Sequence, residues 1–118
     1  MKKTLLFITL FISIATMAQI TEPTRTAVFT MGESNSQYYR IPALVETADG
    51  TLVAIADQRG ESLGDLPNII SIVSKRSTDG GATWESMVTI AQGNSTNGTT
   101  YGDAAAVYDE QAGKIIAV

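Results

Sequence analysis

The chain lacks two residue types on which enzymes often depend, because its 118 residues include neither cysteine nor histidine. The absence of cysteine excludes disulfides, thiol nucleophiles and a lipid anchor on an N-terminal cysteine. The absence of histidine excludes imidazole bases, and the two absences together exclude the usual zinc ligands. Any catalysis must therefore use carboxylates, hydroxyl groups, tyrosine, lysine or arginine. A chain of this length forms at most one small domain.

Long hydrophobic runs are also scarce, and the main one lies at the N-terminus, in MKKTLLFITLFISIATMA (1–18). Two lysines, an apolar stretch and small residues at the cleavage positions predict a secretory signal peptide. A membrane anchor is the alternative, but the run is shorter than the ~20 residues that a span needs. Residues 19–118 would then form the mature chain, without a membrane span, secreted, periplasmic or on the cell surface.

Basic residues are fewer than acidic ones, eight against twelve, which gives a net charge of −4. Removal of the signal peptide takes away two lysines and no acidic residue, so the net charge becomes −6. An acidic exported protein is a poor candidate for nucleic-acid binding. No metal or other cofactor is predicted, because the Asp-Gly-Gly turn lacks the alternating oxygen ligands of a calcium loop.

Apolar and polar residues alternate after residue 38, and no helical period appears. The pattern predicts an all-β chain. Asp49-Gly50 and Asp79-Gly80-Gly81 are turn signals, and residues 58–67 and 92–102 are polar loops. The predicted strands are 38–47, 51–57, 68–77, 83–91, 103–109 and 114–118.

The last strand pair repeats the first. A shift of 63 positions places ALVETADGTLVAI (43–55) over AVYDEQAGKIIAV (106–118), with Gly50 on Gly113. A four-stranded antiparallel unit that begins again is typical of a β-propeller. We therefore expect the first blade and half of the second, at the front of a longer protein.

Successive connections of an antiparallel meander lie at opposite ends of the sheet, so every second connection lies at the same end. The turns at Asp49 and Asp79 should share one end. Function tends to gather on loops at one end of a rigid scaffold, so we expect the site at the other end. That end should carry four charged residues: Arg40, Arg59, Asp65 and Asp103.

Two motifs make the chain resemble the sialidase (neuraminidase) family. YYRIPAL (38–44) is similar to the family's Arg-Ile-Pro motif, and STDGGATW (77–84) resembles its Asp-box, Ser-x-Asp-x-Gly-x-Thr-Trp. The Asp-box recurs in other propellers, but the two motifs at this distance are more specific. The resemblance runs from about Val28 onward and implies a six-bladed propeller. The matching Asp-box residues are Ser77, Asp79, Gly81, Thr83 and Trp84.

The resemblance also implies roles for the four charged residues. Arg40 matches the first arginine of the family's carboxylate-binding triad, and Arg59 matches a further substrate-side arginine. A planar guanidinium suits this task because it pairs with a carboxylate through two parallel bonds. Asp103 matches an aspartate that contacts substrate hydroxyl or amide groups. Asp65 matches the general acid/base, for which we expect a raised pKa among Leu63, Leu66 and Pro67.

The family uses a tyrosine nucleophile, activated by a glutamate, and the resemblance places both in later blades. None of the four tyrosines here matches that motif: Tyr38, Tyr39, Tyr101 and Tyr108.

Each assignment has a structural alternative. Arg40 could be a strand-end arginine that pairs with Glu46 or Asp57, and Arg59 and Asp65 could be solvated loop charges. Asp57 is a second candidate for the acid, although its place two residues before Arg59 favours orienting that arginine.

Two further residues have structural interpretations. Asp103 could cap the start of a strand. For the Asp-box we favour a structural role, in which Asp79 accepts backbone N–H bonds within its own turn and Trp84 packs against a neighbouring sheet.

The resemblance thus implies a retaining exo-α-sialidase acting on sialylated glycoproteins, glycolipids or oligosaccharides. The alternative is a non-catalytic Asp-box propeller that binds glycans or serves as a scaffold.

Overall fold

The structure is a computed structural model that describes residues 24–118, so the expected signal peptide lies outside the described residues. The described part is all-β, apart from one short 3-10 turn at Glu33–Asn35. No helix in it has the length and apolar character needed to span a bilayer. The strands are β1 (Tyr38–Glu46), β2 (Leu52–Arg59), β3 (Ile70–Ser77), β4 (Val88–Ala91), β5 (Ala106–Asp109) and β6 (Lys114–Ala117).

The first four strands form one antiparallel sheet in the order β1-β2-β3-β4, and β5 and β6 form a separate antiparallel hairpin. Strands β2 and β3 therefore have partners on both sides. Their side chains include most of the buried residues, and they provide the rigid centre on which the loops are mounted.

The second hairpin repeats the first with a register that differs by one residue. In the first, Thr47 N–H donates to the carbonyl of Thr51, so three residues form the tip. In the second, Asp109 pairs with Lys114, so four residues form the tip. The repeat seen in the sequence therefore recurs as a hairpin, but its turn is built differently.

The two faces of the four-stranded sheet have different covers. On one face, Ile55 and Ile72 form a buried cluster with Ala104, which precedes the second hairpin. On the other face, the segment before β1 covers the sheet, and the Glu33 carboxylate lies 2.6 Å from the Lys75 ammonium. That ion pair lowers the pKa of Glu33. The main core thus lies between the sheet and the second hairpin.

Four predicted boundaries are wrong by two residues or more, and one of them is the start of β3, which is Ile70 rather than residue 68. Strand β4 begins at Val88 rather than at residue 83, because Thr83 N–H donates to the Asp79 carboxylate instead of to β3. Strand β2 continues through Arg59, which lies in the predicted loop 58–67. Strand β5 begins at Ala106 because Asp103 has a φ of +62°, which ends extended backbone there.

Candidate active site

Strand register separates the two ends of the sheet. Leu52 pairs with Ser77 at the end that carries the turns around Asp49 and Asp79, whereas Arg59 pairs with Ile70 at the opposite end. The loop 60–69 leaves β2 at this second end. The charged side chains predicted to converge therefore do lie at one end, away from both glycine-rich turns.

Arg59 is the best-buried charged group at this end, with a side chain only 1% exposed. Its Nη2 lies 2.9 Å from Oδ2 of Asp57, and its Nη1 donates to Asp65 Oδ1 at 2.8 Å and to the carbonyls of Leu63 and Gly64. Burial opposes its charge, but the bonds to Asp65 and Asp57 outweigh burial and hold the pKa of Arg59 above its ordinary value. Arg59 is thus not a solvated loop charge.

Arg40, in contrast, is half-exposed. It occupies β1 opposite Asp57, and its Nη1 donates to the carbonyl of Leu63 at 2.9 Å and to Asp65 Oδ1 at 3.3 Å. Both arginines thus bond to the same oxygen of Asp65, and neither reaches Oδ2. Arg40 pairs with Asp65 rather than with Glu46 or Asp57.

The environment expected for Asp65 is wrong. Its side chain is 77% exposed, and Leu63 and Leu66 are themselves mostly exposed, so they do not desolvate it. The hydrogen bond from Arg59, followed by the charges of Arg59 and Arg40, lowers the pKa of Asp65 instead of raising it. In the described structure Asp65 is an ionised carboxylate between two guanidinium groups.

Asp57 connects this cluster to the segment before the second hairpin. Its carboxylate is fully buried, and while Oδ2 pairs with Arg59, Oδ1 accepts the backbone N–H of Asp103 at 3.0 Å. The orienting role that the sequence favoured for Asp57 matches this pairing. Asp103 itself is exposed and lies in a sharp bend with positive φ.

A cavity of about 590 Å³ opens beside these groups. Arg40 does not line this cavity, but it donates a hydrogen bond to Asp65, which does. The lining residues are Asp57, Arg59, Asp65, Leu66, Ile70, Thr100, Gly102 and Asp103.

Sequence reasoning missed Asn68, which shapes the loop that carries Asp65. This buried amide donates to the carbonyls of Ser62 and Gly64 at 2.9 Å each and accepts the N–H of Glu61. The sequence pattern predicts Asn68 at the start of the third strand, but β3 begins at Ile70. A polar residue directly after proline, at the end of a loop, was the available signal.

The turn at the opposite end satisfies its polar groups locally. Asp79 accepts hydrogen bonds from the Thr83 hydroxyl, the Thr83 N–H and the Ser77 hydroxyl, which lower its pKa to about 2. Gly81 has a φ of +89°, and a Cβ there would meet the half-buried ring of Trp84 at 3.8 Å. The ring thus covers its own turn.

Within residues 24–118, no group of three or more acidic side chains is arranged to hold a metal ion.

Comparison with known proteins relates the chain to sialidases over partial stretches. No protein-family model matches the chain. It is 48% identical over 56 residues to a sialidase of Bacteroides fragilis (strain YCH46), which covers 48% of this chain and 10% of that protein. It is 42% identical over 66 residues to a sialidase of Paraclostridium sordellii, covering 54% and 16%.

A third sialidase, from Micromonospora viridifaciens, matches the largest share of the chain among these three. The identity is 38% over 85 residues, which is 71% of this chain and 13% of that protein. The chain therefore spans about a tenth to a sixth of the length of the curated relatives it matches.

Proposed function

We propose that this chain is the N-terminal part of an exo-α-sialidase, a six-bladed β-propeller that releases terminal sialic acid from glycoproteins, glycolipids or oligosaccharides. The observation that carries the proposal is the meeting of Arg40 from β1 and Arg59 from β2 around one carboxylate oxygen of Asp65, in the loop after β2. Similarity to three bacterial sialidases supports it. The Arg-Ile-Pro and Asp-box motifs belong to the same proposal.

Arg40 is the group best placed to bind the carboxylate of a sialoside, because it is the more exposed of the two arginines. A guanidinium pairs with a carboxylate through two parallel bonds and stays charged. Asp103, exposed on the lining of the cavity, faces a bound sugar as a hydrogen-bond acceptor. Arg59 supports Asp65 from beneath and adds positive charge on the substrate side.

Asp65 acts as the general acid and base once substrate is bound. When a sialoside carboxylate pairs with Arg40, it neutralises one of the two charges that lower the pKa of Asp65, so that pKa rises relative to the free protein. The proton is carried on Oδ2, the oxygen that neither arginine engages.

The reaction follows the family's chemistry, with a tyrosine and a glutamate supplied by later blades. Asp65 gives its proton to the glycosidic oxygen as the bond from the anomeric carbon breaks, and the tyrosine oxygen bonds to that carbon while its proton passes to the glutamate. Water then displaces the tyrosine, which recovers its proton from the glutamate. The water's proton goes to Asp65, and the two displacements together retain configuration.

One observation favours a second candidate, a glycan-binding propeller without catalysis. An exposed aspartate with a lowered pKa is what a binding site needs and not what a resting general acid needs.

Turnover separates the two candidates. We expect the complete gene product to cleave a fluorogenic sialoside, with the released sugar appearing first as the retained anomer by NMR. Asp65→Asn should lower kcat by about 10²–10⁴-fold, as expected for loss of a general acid. Sialoside binding without turnover, or an Asp65→Asn variant with full kcat, would instead favour the binding protein.

We also propose that residues 1–18 direct export and are removed. Edman sequencing of the secreted product should begin near Gln19, and an intact N-terminus on the exported protein would disprove the cleavage.

A further inference from the structure

Asp57 is a buried carboxylate with two partners from different parts of the chain. Its side chain is fully buried, and each oxygen accepts one hydrogen bond, from Arg59 Nη2 at 2.9 Å and from the Asp103 N–H at 3.0 Å. A buried carboxylate is costly unless it is paired and hydrogen-bonded. The Asp57 carboxylate is therefore stable in this buried position only while both partners remain hydrogen-bonded to it.

The two partners differ in how firmly the backbone holds them. Asp57 and Arg59 lie on β2, which is paired on both sides, and Asp57 itself is opposite Arg40 in β1 and Ile72 in β3. Asp103 lies outside any strand, at a φ of +62°, a conformation uncommon for a residue with a side chain. The bond that the Asp103 N–H donates to Asp57 thus ties a bend with positive φ to a strand that is paired on both sides.

The bend approaches Asp57 closely because it contains Gly102. A Cβ at this glycine would lie 3.3 Å from Asp57 Oδ2 and 3.7 Å from the Ile70 side chain. A side chain here would press against the carboxylate and push the bend away from β2.

We propose that Asp57 is a positioning residue that fixes Asp103 and the Arg59–Asp65 pair at one separation, so that they bind a single sugar together. For its kinetic consequence this inference rests on the proposed function. The Asp57 side chain is fully buried and acts on substrate only through its two partners.

Asp57→Asn tests the proposal, because an amide has only one acceptor oxygen. Whichever way the amide turns, its NH₂ group faces either the Arg59 guanidinium or the Asp103 N–H, and one bond is lost. The matched control is Asp49→Asn, which also removes a hydrogen-bonded carboxylate but in the turn at the opposite end of the sheet. Both variants are made in the complete gene product.

The first measurement needs no catalysis. Hydrogen–deuterium exchange followed by mass spectrometry should show faster exchange in a peptide containing residues 100–105 for Asp57→Asn and unchanged exchange there for Asp49→Asn. The second measurement is the KM for a fluorogenic sialoside, which should rise by about tenfold for Asp57→Asn, the typical loss when a bond to a charged group is removed. In an Asp103→Ala background most of that rise should disappear.

A merely structural role gives a different pattern, with less folded protein and lower total turnover but an unchanged KM. That pattern, or unchanged exchange in 100–105, would overturn the proposal. If Asp57→Asn does not fold, Gly102→Ala takes its place and should raise both the exchange rate and KM. If the wild type has no sialidase turnover, the proposed function fails, and the exchange measurement alone decides whether Asp57 fixes the bend.

Discussion

Asp65 and Asp79 lie at opposite ends of the same sheet, and both have a pKa below the ordinary value, but their partners differ. Asp79 is held by neutral donors from Ser77 and Thr83, all within its own turn. Asp65 is held first by a hydrogen bond from Arg59 and then by the charges of Arg59 and Arg40, which come from two different strands. The first arrangement is complete in seven consecutive residues, 77–83, whereas the second exists only after folding. Hydrogen bonds within the Asp79 turn stabilise that turn, whereas the candidate site forms only when folding brings charged side chains from different strands together.

Among changes at the charged end of the sheet, loss of Arg59 should lower the free energy of unfolding most. Arg59→Met leaves Asp57 buried without its cation, which typically costs about 3–5 kcal/mol of the free energy of unfolding. Urea unfolding of the complete gene product, followed by intrinsic fluorescence, measures this loss. The double variant Asp57→Leu/Arg59→Met should recover much of it, because no buried charge then remains. A double variant as unstable as Arg59→Met would show that the ion pair is not the cause.

The carboxylate-binding role proposed for Arg40 should give the next largest effect. Arg40→Lys keeps the charge but loses the planar fork, so KM for a sialoside should rise by roughly tenfold, with kcat changed less. The control is Arg76→Lys, an exposed arginine that lines the pocket at the other end of the sheet. Equal KM values for the wild type and Arg40→Lys would remove Arg40 from the site.

The turn at Asp79 should affect stability and not substrate affinity. Because folding lowers the pKa of Asp79 to about 2 from an ordinary 3.8, its ionised form stabilises the fold. That stabilisation is fully present above about pH 4 and is lost as the pH falls through the folded pKa. The difference in urea midpoint between wild type and Asp79→Asn should therefore close between pH 4 and pH 2.

The sialoside KM of Asp79→Asn, measured near neutral pH, should equal that of the wild type. A raised KM would place this turn in the substrate site and contradict the separation of the two ends.

The same contrast explains how much the sequence could predict. Turn residues with fixed spacing, such as Asp79 and Gly81, carry their conformation locally, and the antiparallel alternation of connections assigns each loop to an end. Both inferences agree with the described structure. The predicted length of β4 is wrong because Thr83 hydrogen-bonds within its own turn. The alternation of apolar and polar residues does not reveal that bond.

The environment of the site could not be predicted in the same way. QRGESLGD (58–65) has the composition of a solvated loop, yet Arg59 is buried because the carbonyls of Leu63 and Gly64 fold back onto it. Residue spacing encodes neither that return nor the bond from Asp103 to Asp57. As a result the identity of the cluster was accessible from the sequence, but the exposure and pKa of Asp65 were not.

Added salt should change the pKa of Asp65 but not that of Asp79. This is the smallest of the expected effects, but it compares the two aspartates most directly. Between about 0.01 M and 1 M salt the Debye length falls from roughly 30 Å to roughly 3 Å, so charge–charge effects on exposed groups weaken. Asp65 is 77% exposed and owes part of its lowered pKa to Arg59 and Arg40 charges. Its pKa should rise toward the ordinary value in salt, whereas Asp79, held by neutral donors, should stay at about 2.

Carboxyl ¹³C NMR titrations of the complete gene product at the two salt concentrations measure both groups in one sample. In Arg40→Gln, which removes one of the two cations, the pKa of Asp65 should be higher at low salt and less sensitive to added salt. The pKa of Asp79 should be the same in both proteins. Equal salt responses of the two aspartates would mean that hydrogen bonds alone hold Asp65. Pairing of a sialoside with Arg40 would then have no charge effect by which to raise the pKa of the proposed acid.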